Sequence, residues 1–252
     1  MKGLTDKYVF LLGGHDLEMM EIRNMLGEHG FEYHDLNLCW GARLSSYAAF
    51  LNSMQTFVGI ELQKDMDLPL HYIDIDHHNE KSHLPSSIEQ VADLIHHDLN
   101  RYQQLVAAND KGYIPAMKAL HATNEEISLI RNADRAAQGV TEEDERLAEE
   151  SIANNLKRIS DLIYVESLTP KFSTITDRLY PSTKLLISYP GQLVYYGKGV
   201  DGLAFKYQGL IKEHKAFHGG GNDGFFGLAA GKLTIDEIDL IKPEIIKLIT
   251  KL

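Results

Sequence analysis

The sequence predicts an α/β protein, with a larger domain built on a mainly parallel sheet flanked by helices and a smaller α+β C-terminal domain. Two observations predict this. Over residues 1–120, short apolar runs alternate with amphipathic stretches of helical period, the pattern of a parallel sheet covered on both faces. After a helical stretch the pattern shifts to brief strands separated by Pro181 and by Pro190-Gly191, and then back to helix. The shift places a boundary near Leu168–Pro170 and divides the chain into domains of residues 1–168 and 169–252.

Lys7 to Leu12 reads as the first strand. Gly13-Gly14-His15 turns the chain into a helix starting near Asp16, where Met19, Ile22 and Leu26 recur on one face beside Met25, and Gly30 supplies the stop. Ser45 to Met54 is predicted helical, and Thr56 to Leu62 and Leu70 to Ile75 as strands. Ser86-Ser87-Ile88-Glu89 is a capping box opening a helix towards His97. From Pro115 to Ser167 the sequence reads as helix throughout, with Leu147, Ile152, Leu156, Ile159 and Ile163 as its apolar stripe. Phe172–Thr176, Lys184–Ser188 and Leu193–Tyr196 read as short strands. A helix over Val200–Glu213, a glycine-rich loop and a helix from Thr234 complete the chain.

Composition narrows the function. The single cysteine, Cys39, excludes an internal disulfide framework and favours a reducing compartment. The apolar run Tyr8–Leu12 is too short for a bilayer span or a signal peptide, so a cytoplasmic protein without a membrane partner is expected. Residues 1–170 carry 14 basic against 28 acidic side chains, a net −14, and residues 171–252 carry 11 against 8, a net +3. So acidic a chain is poorly suited to long duplex nucleic acid, where affinity comes from neutralising many phosphates. An acidic large part can supply metal ligands and a mildly basic small part can meet a compact phosphorylated substrate, but charge alone favours the plainer reading of an acidic surface that keeps the protein soluble.

The segment richest in chemistry is His71-Tyr72-Ile73-Asp74-Ile75-Asp76-His77-His78-Asn79, a strand ending in an acid and two imidazoles. Carboxyl ends of parallel strands face the ligand crevice, and carboxylate with imidazole suits a first-row divalent metal. On these residues the sequence resembles the DHH phosphoesterase superfamily, named after the tripeptide Asp76-His77-His78. His15 after the first strand, Glu61 after the third and Asp110 in Ala107–Ile114 match the family's other motifs in order. The resemblance implies His15, Glu18, Glu61, His77 and Asp110 as metal ligands, with Asp76 a near ligand or an anchor for an imidazole. It implies His78 as the phosphate-facing, catalytic histidine together with Asp76, and a divalent ion, Mn2+ first, with Co2+ or Mg2+ as alternatives. It also assigns the smaller domain to substrate binding through Gly219, Gly220 and Gly221, with Lys215 and His218 the nearest basic groups. A metal-dependent phosphoesterase or pyrophosphatase-like hydrolase, acting on a small phosphorylated compound or nucleotide across a cleft between the domains, is the implied function.

The sequence departs from the family where two aspartates are usual, placing Met19 and Glu21 there, and Glu61 stands for an aspartate. Glu18 is the substitute carboxylate on this reading. Met19 favours a rival, a non-catalytic nucleotide- or metabolite-binding protein that kept the fold. Taken singly, His15 reads as a turn cap, Asp110 as an Asx-turn residue, Glu21 as a solvated first-turn acid, and Arg131 and Arg135 as helix-surface charges. A dinucleotide-binding oxidoreductase rests only on Gly13-Gly14, without the third glycine of that fingerprint.

Overall fold

In the computed structural model, which describes residues 7–39, 41–52, 55–220 and 223–251, strand β1 (Tyr8–Leu11) is buried along its whole length. Side chains alternate across a strand, so Tyr8, Phe10 and the following Leu12 enter one core while Val9 and Leu11 enter another. That is why the sequence here is a continuous apolar run rather than an alternating one. Strands β2 (Glu32–His34), β3 (Thr56–Ile60) and β4 (Tyr72–Ile75) join it in the order β2-β1-β3-β4, every neighbouring pair parallel. The strand order reverses beside β1, and the crevice for a ligand lies outside the carboxyl ends at such a reversal.

Helix α1 (Leu17–Glu28) and helix α2 (Ser87–Ile95) cover one face, burying Met19, Ile22, Met25, Leu26, Ile88, Val91 and Ile95 against β1, β3 and β4. The other face is closed by a 3-10 helix over Leu44–Phe50, where a longer α-helix was expected from Ser45. Leu51 is already extended, and Ser53 and Met54 lie outside the described residues. The Tyr47 hydroxyl pins this segment to the site end of the sheet by donating to the Leu12 carbonyl at 2.5 Å. Helices α3 (Arg101–Ala119) and α4 (Asn124–Ala137) complete the unit, and capping boxes start α2, α3 and α4 at Ser86, Asn100 and Thr123.

The chain divides into two compact units at Gly139/Val140, earlier than the division at 168/169 expected from sequence. The cause is helix α5 (Glu142–Asn155). Its Ala148 is buried with Val165, Phe172, Ile175 and Leu185, its Ser151 hydroxyl accepts the Leu168 N–H at 2.8 Å, and its Asp144 accepts the Thr169 hydroxyl at 2.6 Å. These partners span residues 165–185, on both sides of the expected division, so α5 packs with the second sheet and the segment beside it.

The second unit holds a six-stranded mixed sheet, order β5-β6-β7-β8-β10-β9. Its strands are β5 (Leu156–Ile159), β6 (Leu162–Glu166), β7 (Lys184–Tyr189), β8 (Gln192–Gly197), β9 (Ala216–Gly219) and β10 (Phe225–Leu228). Only β6 and β7 pair in parallel, through helix α6 (Ser173–Leu179). Helices α7 (Val200–Lys206) and α9 (Ile235–Ile249) bury Val200, Leu203, Ile238, Ile245 and Ile249 with the inward side chains of the sheet, and α8 (Gln208–Lys212) lies between them in sequence.

Two local expectations are corrected here. Residues 156–166, expected as helix, form the β5–β6 hairpin, turning at Ser160 with φ +57°. The helical spacing of Leu156, Ile159 and Ile163 is a coincidence of two strands, and Leu162-Ile163-Tyr164-Val165 is the strand-forming run that decides it. Residues 172–176, expected as a strand, begin α6. Among the described residues no helix is long and apolar enough to cross a membrane.

Candidate metal centre

Asp76, His77 and His78 follow directly on β4, and Glu61 follows β3, whose Ile60 is in register with Ile75. Asp110 comes in from α3 and Glu18 from the first turn of α1. One potential ligand atom from each of Glu61, His77, His78 and Asp110 lies within 4.8 Å of all the others. At the centre is His77, 6% exposed, whose Nε2 lies 2.6 Å from Asp110 Oδ2, 3.5 Å from Glu61 Oε1 and 3.7 Å from Glu18 Oε2. His77 Nε2 and Asp110 Oδ2 are close enough to pair as ions, but they are not aligned as hydrogen-bond donor and acceptor, and among the described residues neither is satisfied by another hydrogen bond. Buried polar atoms are almost always satisfied. Two that are not, set among further carboxylates and an imidazole, fit a divalent first-row ion.

The protein backbone and second helix hold these groups in place. Glu61 sits at φ +53°, a sparsely populated conformation for a non-glycine residue, while its N–H donates to the Ile75 carbonyl at 2.8 Å. Its Oε1 accepts the Ser87 hydroxyl at 2.7 Å. Glu18, 2% exposed, uses Oε1 to accept the Ile88 N–H at 3.0 Å, satisfying one of the donors left open at the start of α2. That leaves Oε2 turned towards His77. Asp16 caps α1 by accepting the Met19 N–H at 2.9 Å. Asp76 Oδ1 accepts from the His78 N–H at 3.0 Å and lies 3.1 Å from His78 Nδ1, with Lys81 Nζ 3.4 Å from Oδ2. Asp76 thus braces the His78 ring.

The electrostatics follow from crowding acids in a buried place. Burial alone would favour a neutral His77, but the carboxylates of Asp110, Glu18 and Glu61 outweigh it and push its pKa up to about 12. Burial, then the charges of Asp110 and Glu61, hold the Glu18 carboxyl well above the usual range against the opposing pull of His77 and the Ile88 N–H. Asp16 rises to about 7, chiefly by burial, with Asp110, Glu61 and Asp134 adding to it against the Met19 N–H. Asp76 goes the other way: its burial is outweighed by His78 and Lys81, which hold it below the usual range. A field that retains a proton on a buried imidazole so strongly also favours a cation at the same point.

No protein-family model and no curated protein matches the chain by sequence. Among solved structures, the DHH domain of a member of the S1p family of ribosomal proteins superposes with a TM-score of 0.58 at 11% identity, covering 99% of this chain and 88% of that one. The chain has a DHH fold. A pGpG-specific phosphodiesterase, PggH from Vibrio cholerae, aligns over 98% of this chain and 99% of its own at 12% identity, with a TM-score of 0.49.

Within this DHH fold the residues singled out from sequence are not all in one place. Glu18, Glu61, His77, His78 and Asp110 converge. Asp76 is turned to His78 and Lys81 rather than into the cluster. His15 lies half-buried in the β1–α1 turn, outside the group of four. Lys215 pairs with Glu213 at 2.8 Å, and His218 is exposed on the edge strand β9. Gly219 and Gly220 serve the β9–β10 connection itself: a Cβ on Gly219 would meet the Phe225 ring at 2.7 Å, and Gly220 sits at φ +72° with Gly224 Cα 2.9 Å from its Cβ position. Gly221 lies outside the described residues.

Sequence reasoning overlooked Ser87 as a partner of Glu61 and the buried polar group next to Asp110, whereas the helix start it placed near Asp16 is where that residue caps α1. The Ser86–Glu89 capping box was a usable signal for Ser87, since it put a helix N-terminus just after the Asp76-His77-His78 strand. Arg131 and Arg135, expected on a helix surface, are both buried at 7% exposure. Glu21 is bound only to surface neighbours, accepting from Asn24 at 3.2 Å. Hence Glu18→Gln is expected to weaken Mn2+ binding at least about tenfold by calorimetry, the lower end of the effect of losing an important group around a metal. Glu21→Gln is expected to leave it unchanged, and equal affinities for the two variants would remove Glu18 from the centre.

Proposed function

We propose that the protein is a divalent-metal-dependent hydrolase of phosphoric esters or anhydrides acting on a small phosphorylated compound. The observation that carries this reading is the pair of buried, mutually misaligned atoms His77 Nε2 and Asp110 Oδ2, set among Glu61, His78 and Glu18 at the carboxyl ends of a parallel sheet. Glu18, Glu61, His77 and Asp110 would hold the ion, with Mn2+ proposed and Co2+ or Mg2+ as alternatives, and His78 would stand beside it. Such an ion, when bound, polarises a phosphoryl oxygen and activates water at neutral pH.

The protein's own groups divide the remaining work. Asp76 fixes the His78 ring through Nδ1, so Nδ1–H is the assigned tautomer and Nε2 lies on the free edge. With a side chain 43% exposed, His78 is accessible to a substrate oxygen in a way that His77 is not. From that edge His78 would face the charge developing on the phosphoryl group. Lys215, His218, Gly219 and Gly220 are proposed as the substrate-binding set of the second unit. The rival, a non-catalytic binding protein, rested on Met19. That residue is 3% exposed and packed in the helix–sheet core, while its neighbour Glu18 faces the centre, so the methionine is a packing residue rather than a lost ligand.

The test is a steady-state assay on an activated phosphodiester and on small nucleotides. Hydrolysis is expected with Mn2+ or Co2+ and none after chelation. Full activity in chelator would refute the metal assignment. In the same assay Lys215→Ala/His218→Ala is expected to raise KM with metal content unchanged, and an unaltered KM would take both residues out of substrate binding.

A further inference from the structure

Behind Asp110, and separate from every ligand named above, lies a buried polar group on α3 and α4. The Arg131 guanidinium donates through Nη1 to Asn109 Oδ1 at 2.9 Å and to Asp134 Oδ2 at 2.6 Å. Asp134 Oδ2 also accepts the Gln138 amide at 3.1 Å. Arg131 lies over the Tyr113 ring, 4.7 Å from its centroid. Arg131, Asp134 and Asn109 are 7%, 7% and 8% exposed, so charged and amide groups are withdrawn from water together. Such burial is costly unless the groups are well paired, and it contributes little net stability over an apolar replacement. A role other than stability is therefore the one to seek.

The geometry of α3 supplies it. The helix is broken just beyond Asp110: Gly112 has φ −159° and ψ +21°, and Tyr113 has φ +57° and ψ −150°. The Tyr113 conformation falls in a region that is essentially glycine's, and a side chain stays there only when its surroundings over-determine it. Arg131 is part of those surroundings, lying over the tyrosine ring and bonded to the amide of Asn109. It thus grips α3 on both sides of the metal-site aspartate, one residue before and three after. The Lys111 ammonium, bonded to the Leu84 carbonyl, ties the intervening residue to the loop ahead of α2. The bond from Arg131 Nη1 to Asn109 and the ring contact with Tyr113 fix the rotation of the α3 segment about its axis, while the bond to Asp134 holds the guanidinium in place on α4; that rotation decides where Asp110 Oδ2 points.

We propose that Arg131, acting through Asn109 and Tyr113, is a positioning residue for Asp110 that sets the geometry of the metal centre without touching the ion or the substrate. The proposal rests on the metal reading under Proposed function. It is separable from the Asp76–His78 and Ser87–Glu61 contacts, because its residues lie on α3 and α4 alone.

The experiment measures Mn2+ affinity by calorimetry, the electron paramagnetic resonance spectrum of the bound ion, and the melting temperature of the metal-free protein. Asn109→Ala is the primary variant, because it keeps the Arg131–Asp134 pair and puts a better helix former at the position. It is expected to melt at or above the wild-type temperature while binding Mn2+ roughly 10- to 100-fold more weakly, with an altered spectrum for the ion that still binds. Arg131→Met is expected to weaken binding at least as much; it also strands Asp134 and is the variant that could fail to fold. A residue that only supported the fold would move melting and affinity together and leave the spectrum of bound Mn2+ unchanged. If the wild-type protein binds Mn2+ and Asn109→Ala binds it within twofold with the same spectrum, the positioning role is overturned and the metal reading stands. If the wild-type protein binds no divalent ion, both fall.

Discussion

Asp110→Asn should lose metal binding and hydrolysis at a smaller cost to the metal-free protein than losing His77. Asp110 pairs with His77 at 2.6 Å, and its charge is also the largest charge effect raising the Glu18 carboxyl after burial itself. Its removal therefore breaks one ion pair but relieves repulsion among the acids, and asparagine keeps the shape. His77→Ala should also lose the metal, and nothing offsets its cost in the metal-free protein. It takes away the group that compensates Asp110, Glu18 and Glu61, leaving buried acids to face one another. Removing one member of a buried ion pair costs about 3–5 kcal/mol, so this variant should melt well below wild type and below Asp110→Asn. The loss of affinity should exceed about a hundredfold in both cases, beyond what the loss of a supporting partner costs. Calorimetric titration with Mn2+ and thermal melts in chelator check both the losses and their order. Two variants with wild-type affinity would remove the metal centre altogether.

How much of this was legible in sequence depends on the distance over which the signal acts. The strands β1, β3 and β4 are short apolar runs ending in glycine, acid or histidine, so both they and the ligands at their ends could be read locally. Glu18 was harder, because neighbouring helix positions lie about 100° apart around the axis and a one-residue shift decides whether an acid faces the core or the site. The structure turns Met19 to the core and Glu18 to His77, although the motif spacing alone would have put the acid at 19. The β5–β6 hairpin was hidden because Leu156, Ile159 and Ile163 fall at helical spacing by accident. Arg131 and Asn109 were not identifiable as supporting residues, since they are 22 positions apart, and Ser87, 26 positions from Glu61, was marked only indirectly by its capping box. Nothing in a local pattern distinguishes a buried arginine from a surface one on the same helix. The placement of α5 was likewise decided by contacts to Thr169 and Leu168, far beyond its own residues.

The adjacent glycines of the β1–α1 turn look equivalent in sequence, and Gly13→Ala is expected to be damaging where Gly14→Ala is harmless. A Cβ on Gly13 would lie 2.3 Å from the Ile60 carbonyl oxygen and 2.9 Å from that of Glu61, whereas one on Gly14 would meet nothing within 4 Å. The obstructing atoms are backbone, so no side chain can rotate aside. They are also held: β1 and β3 are paired through Leu11 and Gly59, and the Glu61 N–H is bonded to the Ile75 carbonyl. Relief therefore requires the turn to lift from the end of β3 or Glu61 to move outward. Either movement separates Glu18, which begins α1 just after the turn, from Glu61 and His77. Overpacking of this kind costs about 1–3 kcal/mol, equivalent to a melting temperature lower by roughly 2–12 °C in a protein of this size. Metal affinity should fall with it, because two of the converging carboxylates no longer share one position. Melts and Mn2+ titrations of the two alanine variants side by side provide the check. A Gly13→Ala protein that melts and binds like wild type, or a Gly14→Ala protein equally impaired, would show that the close passage of this turn over β3 does not hold the centre together.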